Sequence, residues 1–225
     1  MAGPAEASER TRVRRAPEKQ EHDVLARDAV LAAALSGVVA VVDDGQPFAL
    51  PVAVAPDTDP ETGGARLLVH GSTGSRLFRL LAAGAPACLT VTLLEGLVLA
   101  RSQFESSMHY RCVVVLGRFA PVPADDTARA LQVVTEHLMP GRSADARPAS
   151  RKETAATLLL ALPLQEWSLK VSAADPDDDP ADLDRPVWAG VVPLRQVWGE
   201  PRPAPDLARP VPVPAYVGAW PEGRA

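Results

Sequence analysis

The stretch Leu67–Arg76, LLVHGSTGSR, concentrates residue types that grip an anion. An apolar run reaches His70, and Ser72, Thr73 and Ser75 follow with hydroxyls. Gly71 allows close backbone approach, and Arg76 adds a planar fork suited to phosphate. The helix-spaced LFRLLAAG comes next, so a phosphate could be met by hydroxyls and by amides at a helix start. The same residues also make an ordinary strand-to-helix turn with a solvated arginine. The stretch lacks the GKS or GKT ending of a phosphate-binding loop, and it is not a dinucleotide fingerprint.

Three further stretches carry polar chemistry. In Ala100–Gly117, ARSQFESSMHYRCVVVLG, the residues Ser102, Ser106, Ser107, Tyr110 and Arg111 crowd the start of an apolar strand. That placement lines a ligand site at a barrel mouth, or makes a loop in which Arg111 pairs with a carboxylate. EWSLKV puts Ser168 and Lys170 on one strand face by period two, as a site edge or as a solvated face. PVWAGVVPL places Trp188 on a strand, as a stacking platform or as core. His70, His109 and Cys112 lack metal-ligand spacing and no G-x-S-x-G elbow occurs, so neither a metal nor a serine nucleophile is expected.

The elements that must position these residues follow from periodicity. Helical spacing predicts a helix over Asp23–Leu35. Two β-branched strands flank Asp43–Asp44–Gly45, a hairpin signal. ARLLVH reads as a strand and SRLFRLLAAG as a helix closed by Gly84. PACLTVTLLEGLVLA is a long strand bulged near Gly96, and HYRCVVVLGRFAPV the next. ADDTARALQVVTEHLMPGR is an amphipathic helix, and Ser150–Glu153 has capping-box spacing. TLLLALPLQEWSLKVSA reads as one strand, an acidic loop follows, and VWAGVVPL is another strand. Strands that do not alternate regularly with helices argue for a mainly β, α+β, mostly antiparallel barrel with inserted helices. Residues 1–22 read as a flexible arm, 23–200 as the barrel domain, and 201–225 as a Pro-rich extended tail.

The 225 residues carry a net charge of −5, with 47% hydrophobic and 4% aromatic residues. A core of Val, Leu and Ala follows, and the acidic balance argues against nucleic acid as a partner. Cys88 and Cys112 read as free buried thiols in a reducing compartment. Charges interrupt every apolar run, and no apolar leader precedes the domain, so a cytoplasmic protein with no membrane partner is expected.

Taken in order, VRRAPEKQEHD, DGQPFALP, LLVHGSTGSR, ARSQFESSMHYRCVVVLG, EHLMPGR, EWSLKV and PVWAGVVPL resemble the pyridoxamine 5′-phosphate oxidase-related flavin-nucleotide-binding proteins, in the branch near the nitroimidazole-reductase-like proteins. The resemblance implies a Greek-key-like split β-barrel that homodimerises with FMN at the subunit interface. It implies cofactor contacts from Pro51, His70, Gly71, Ser72, Thr73, Ser75 and Arg76. Ser107, Tyr110 and Arg111 would lie along the cofactor, partly from the other subunit, with Lys170 and Trp188 closing the site. The family usually has His-His-Ser-Met-Asn-Tyr-Arg-Ser where this chain has Glu105, Ser106, Ser107, Met108, His109, Tyr110, Arg111 and Cys112. The implied activity is an FMN-dependent oxidoreductase acting on a small molecule. Its rivals are a non-catalytic flavin-binding or sequestering protein, and a related split barrel that uses F420 or haem.

Overall fold

In the computed structural model, which describes residues 8–207, 209–221 and 224, the chain begins with a short strand β1 (Gln20–Glu21) and a helix α1 (Val24–Ala33). Then come β2 (Ser36–Asp43), β3 (Gln46–Ala53), β4 (Ala55–Thr58), β5 (Ala65–Ser72), α2 (Arg76–Ala82), β6 (Pro86–Leu99), β7 (Ser107–Arg118) and β8 (Ala120–Pro121). The described chain closes with α3 (Thr127–Leu138), α4 (Arg151–Ala155), β9 (Thr157–Pro163), β10 (Glu166–Ser172), β11 (Gly190–Pro193) and a largely extended tail.

The strands form two antiparallel sheets, ordered β1-β10-β7-β6-β2-β3, with β11 also on β6, and β4-β5-β9-β8. Among the described residues no pairing joins the two sheets into a closed ring, so the barrel is split. Period-two alternation puts Val39, Val41, Leu89, Val91, Val113, Val115 and Leu169 on the inner face of the large sheet. They meet Leu67, Val69, Leu160 and Leu162 of the small sheet, with Leu31 of α1 and Leu77 and Leu81 of α2. The other face of the small sheet packs Leu68, Leu159 and Ala161 against Ala130 and Val134 of α3.

Several sequence signals act as local chemistry dictates. Asp44 and Gly45 both have positive φ, 49° and 76°, and join β2 to β3 in a two-residue turn. Pro47 and Pro51 are tolerated in β3 because it is an edge strand. The expected bulge in β6 falls between Leu94 and Gly96. The Ser150–Glu153 capping box opens α4. The stretch 157–173 is not one strand: it turns at Leu164–Gln165, and β9 and β10 belong to different sheets. Leu164 is itself buried, so the apolar run continues into the turn, and exposed Pro163 and Gln165 are what mark it. β4 is unmarked in the sequence because PDT looks like loop. The last strand covers only Gly190–Pro193, which leaves Trp188 outside it.

Residues from Ser8 to Glu21 run along β10. Ser8 Oγ donates to Glu166 at 2.6 Å, Arg10 also pairs with Glu166, and Gln20 and Glu21 face Lys170 and Leu169. Those bonds from Arg10 and then Ser8 hold the Glu166 carboxyl at about 2. In the tail, Trp220 Nε1 donates to the Pro140 carbonyl at 3.0 Å and Tyr216 donates to Asp145 at 2.9 Å.

A polar cluster fastens α3 to the small sheet. Arg66 reaches Asp57 at 2.8 Å, Asp59 at 2.6 Å and Asp126 at 2.5 Å, with its side chain only 5% exposed. Arg129 joins Asp57 at 2.8 Å and Asp126 at 2.5 Å. Burial would raise the Asp57 carboxyl, but hydrogen bonds from Arg129 and Arg66 outweigh it and hold it below its ordinary value. Arg129 and then Arg66 likewise lower Asp126.

Arg66→Met leaves these carboxylates short of a cation and should cost about 3 kcal/mol in urea unfolding. Because the folded carboxylates titrate below their unfolded values, their contribution is complete above pH ~4 and is lost as pH falls further. The wild-type stability should therefore decline below that pH, and the variant's acid limb should be shallower. Equal acid limbs would remove the cluster from this role.

Candidate functional site

The β5–α2 turn is held by its own side chains. Thr73 N donates to the Ala156 carbonyl at 3.0 Å, and Ser75 N to the Ser72 carbonyl at 2.9 Å. Gly74 N donates to Ser72 Oγ at 3.1 Å, and Ser75 Oγ caps α2 by accepting from Phe78 N at 3.5 Å. The amides of Thr73, Gly74 and Ser75 are thus occupied inside the turn rather than presented as an anion nest. With seven residues, α2 adds little dipole. What faces outward is the exposed Thr73 and the Arg76 guanidinium.

Arg76 is held on two sides. It donates to Asp43 Oδ2 at 2.6 Å, and its guanidinium lies 4.7 Å from the centre of the Phe48 ring. Asp43 and Phe48 flank the β2–β3 turn, so the hairpin orients the fork while 59% of the Arg76 side chain remains exposed. Neither partner is marked in the sequence as a site residue, because Asp43 reads only as part of a turn and Phe48 as a strand residue. Pro51 is exposed on β3, opposite Val38.

The pleat of β5 sends Val69 and Gly71 to the main core and Leu68, His70 and Ser72 to the other face. A Cβ on Gly71 would lie 2.3 Å from the Phe78 ring, so glycine is required for α2 to seat. His70 is half-buried. Its Nδ1 is buried with no hydrogen-bond partner, and burial pushes its pKa below the ordinary histidine value.

The second group lies elsewhere. Arg111 pairs with Glu95 at 2.5 Å. Tyr110 lies opposite Ser172 and Lys170 opposite Cys112, so these share the outer face of the large sheet. Lys170 Nζ donates to the Arg15 carbonyl at 3.3 Å. Ser107 is exposed opposite Val98. Trp188 is 64% exposed and lies against Gly190.

The positions that depart from the family pattern have local partners. Ser106 Oγ accepts from Ala100 N at 3.1 Å and donates to the Ser102 carbonyl at 2.8 Å. Glu105 N donates to Ser102 Oγ at 3.1 Å. A His109 ring nitrogen meets the Ala174 carbonyl at 2.9 Å, and Thr92 Oγ1 donates to Cys112 Sγ at 3.4 Å. A cleft of about 510 Å³ opens between Arg101–Gln103 and Asp182–Val187. Among the described residues no three His, Cys, Asp or Glu side chains are placed to share a metal ion. No described helix is long and apolar enough to cross a membrane.

The register separates the two groups. Arg111 is level with Leu93, six residues along β6 from Ala87; Ala87 faces Val41, and Asp43 lies two residues beyond Val41 toward that end of the sheet. At about 3.3 Å per residue the separation along the strands is on the order of 25 Å. One chain therefore gathers Tyr110 and Lys170 on the outer face of the large sheet, with Arg111 on the alternate face of the same strand, and holds Arg76 near the opposite end of the strands, away from them.

The profile described as pyridoxamine 5′-phosphate oxidase matches residues 23–171. The solved FAD and haem binding protein from Mycobacterium smegmatis is 42% identical, with 92% of this chain and 100% of that one aligned at a TM-score of 0.84. The flavocytochrome Anf3 from Azotobacter vinelandii is 34% identical over 96% of this chain and 99% of that one, at a TM-score of 0.87. A Bacteroides thetaiotaomicron protein described as a candidate 5-nitroimidazole antibiotic resistance protein shares the fold. It is 17% identical over 68% of this chain and 86% of that one, at a TM-score of 0.55. No curated protein matches the sequence.

Gly71→Ala should displace Phe78 and cost roughly 1–3 kcal/mol in thermal or urea unfolding. Adding Phe78→Leu should recover part of the loss, because the smaller side chain vacates the position of the new methyl. A neutral Gly71→Ala would show that α2 does not seat as described.

Proposed function

As this chain belongs to the pyridoxamine 5′-phosphate oxidase family, we propose that it is a flavoprotein and that its cofactor phosphate is met by Arg76 and the Thr73 hydroxyl. The observation that carries the reading is the end-to-end match, at 42% identity, to a protein that binds FAD and haem. FMN, expected from the sequence, shares the flavin ring and first phosphate; the relative's name favours FAD here. When bound, the flavin supplies redox chemistry, and the chain supplies grip and orientation. Asp43 and Glu95 are each paired with an arginine, which engages these two carboxylates before any ligand arrives. We read an oxidoreductase of an unidentified small molecule, and a non-catalytic flavin carrier is its rival. Turnover of NADH or NADPH with an electron acceptor separates them. Free thiols at Cys88 and Cys112 agree with a cytoplasmic setting.

The assembly we infer is a homodimer through the outer face of the large sheet. That face carries exposed Val38 and Val42 and the half-buried Cys88, Cys112, Val114 and Leu116. A two-fold axis crossing the strands would lay the Arg76 end of one subunit over the Tyr110–Lys170 end of its partner. That arrangement gives two groups separated within one chain a common ligand. Val38→Asp, at an exposed position, should give a monomer by light scattering with the fold intact by circular dichroism. A dimer that survives would move the interface elsewhere.

Titration tests the phosphate assignment. Arg76→Ala should weaken FMN or FAD by about tenfold and leave riboflavin nearly unchanged, since charge-assisted hydrogen bonds contribute roughly 1.5 kcal/mol or more. Asp43→Asn removes the carboxylate that competes for the same guanidinium and should tighten FMN and FAD, again without affecting riboflavin. Equal effects on all three flavins would place the phosphate elsewhere. Cofactor released by denaturation should chromatograph as FAD. FMN would overturn that choice and keep the flavoprotein, whereas F420 would overturn both.

A further inference from the structure

A buried polar atom without a partner is costly, most of all on a charged group, and native structures rarely leave one without a reason. Arg101 Nε is such an atom among the described residues. Arg66 shows the matched case in this chain: its Nε, Nη1 and Nη2 each meet a carboxylate, from Asp57, Asp59 and Asp126. Arg101, just after β6, meets only Asp178. Its backbone amide donates to Asp178 Oδ1 at 2.5 Å and its Nη1 to Oδ2 at 2.8 Å. Both oxygens of that carboxylate, 1% exposed, are thus engaged and fix the arginine. The other edge of the guanidinium, Nε with Nη2, makes no hydrogen bond among the described residues. That edge is the parallel pair of donors that grips the two oxygens of an oxyanion.

Arg101 also lines the cleft of about 510 Å³ between the turn after β6 and the loop before β11. On the same wall, Ser102 Oγ accepts from the Glu105 amide, which leaves its O–H to donate, and the Gln103 amide is exposed. The facing wall supplies a second guanidinium from Arg185, 61% exposed and paired with Asp182 at 3.3 Å. Among the described residues Asp182 is the one carboxylate in the lining, against two guanidinium groups. Methyl groups of Ala100 and Val187 complete the lining, so apolar contact lies next to the donors. Paired donors beside a small apolar wall suit a carboxylate on a short carbon skeleton. Bare phosphate would use the donors and leave the wall uncovered.

We propose that this cleft binds a short organic carboxylate, whose oxygens meet Arg101 Nε and Nη2 and whose carbon chain rests on Ala100 and Val187. Asp178 holds the guanidinium in place from behind, and Arg185 adds a second cation at the mouth. The cleft opens beyond the last residue of β6, whereas Asp43 and Arg76 lie toward its first residues, so the inference rests on no part of the flavin reading.

The experiment is a calorimetric titration of the intact protein with succinate, its neutral counterpart succinamide and inorganic phosphate, in a buffer free of other carboxylates and phosphates. Succinate should bind at one site per chain, and succinamide should not. Arg101→Ala should weaken succinate by about tenfold or more, the scale of a charge-assisted hydrogen bond. Arg101→Lys keeps a cation for Asp178 but lacks the paired donors, so it should weaken succinate as well, with circular dichroism unchanged. A residue that served only to hold Asp178 would leave succinate binding intact in the lysine variant. If Arg101→Ala fails to fold, Arg101→Lys decides the matter by the same titration. Flavin absent from wild type with succinate bound through Arg101 overturns the flavoprotein reading and leaves this one standing. Phosphate bound as tightly as succinate overturns the choice of an organic carboxylate. Succinamide bound as tightly as succinate, no binding of succinate at millimolar concentration, or a lysine variant that binds as wild type does overturns the proposal.

Discussion

The contact on which much of the arrangement depends is the buried guanidinium of Arg66. A charge 5% exposed is tolerable only when its hydrogen-bond donors are matched, and Asp57, Asp59 and Asp126 match them. These partners come from β4, the loop after it and the start of α3. One side chain thereby fixes the edge of the small sheet and the helix that covers its outer face. Arg129 of α3 adds its own pair to Asp57, and Ala130 and Val134, with their half-buried neighbours, pack the helix against Leu68 and Leu159. The wall beside His70 is therefore a consequence of an ion cluster as much as of apolar burial.

The same economy of polar groups shapes the β5–α2 turn. Its hydroxyls serve the backbone first: Ser72 Oγ takes the Gly74 amide and Ser75 Oγ caps the helix. An anion nest needs free amides, so this turn works instead as a rigid pedestal for Arg76. The β2–β3 hairpin completes the mount, with Asp43 on the edge of the guanidinium and Phe48 under its face. A fork held in this way loses little conformational freedom when a ligand arrives, and it meets that ligand in competition with a carboxylate.

The large sheet has two unlike faces. Its inner side is a dry layer of Val and Leu. Its outer side mixes Val38, Val114 and Leu116 with Thr90, Cys88 and Cys112, small side chains that leave the surface flat. A sheet with an apolar outer face is uncommon in an isolated chain, since water must then cover it. The separation of Arg76 from Tyr110 and Lys170 along the strands belongs to the same geometry. It is why residues that the resemblance assigns to one cofactor, partly from two subunits, lie apart in a single chain.

Local chemistry was enough to make much of the fold legible. The hairpin turn at Asp44–Gly45, the bulge near Gly96, the Ser150–Glu153 capping box and the glycine ending α2 each depend on residues a few positions apart, and each occurs. The order of motifs from Val13 to Leu194 likewise pointed to the family to which the chain belongs. Tertiary structure alone decided what depends on distant partners. Leu164 is buried at a turn, so Pro163 and Gln165 alone mark the passage from β9 to β10, and nothing local says that it leads from one sheet to the other. Arg76 with Asp43, Arg111 with Glu95 and Arg66 with Asp126 pair across 33, 16 and 60 positions. Any arginine in the chain could have found some carboxylate, and only the packing of two sheets determines which one lies within reach.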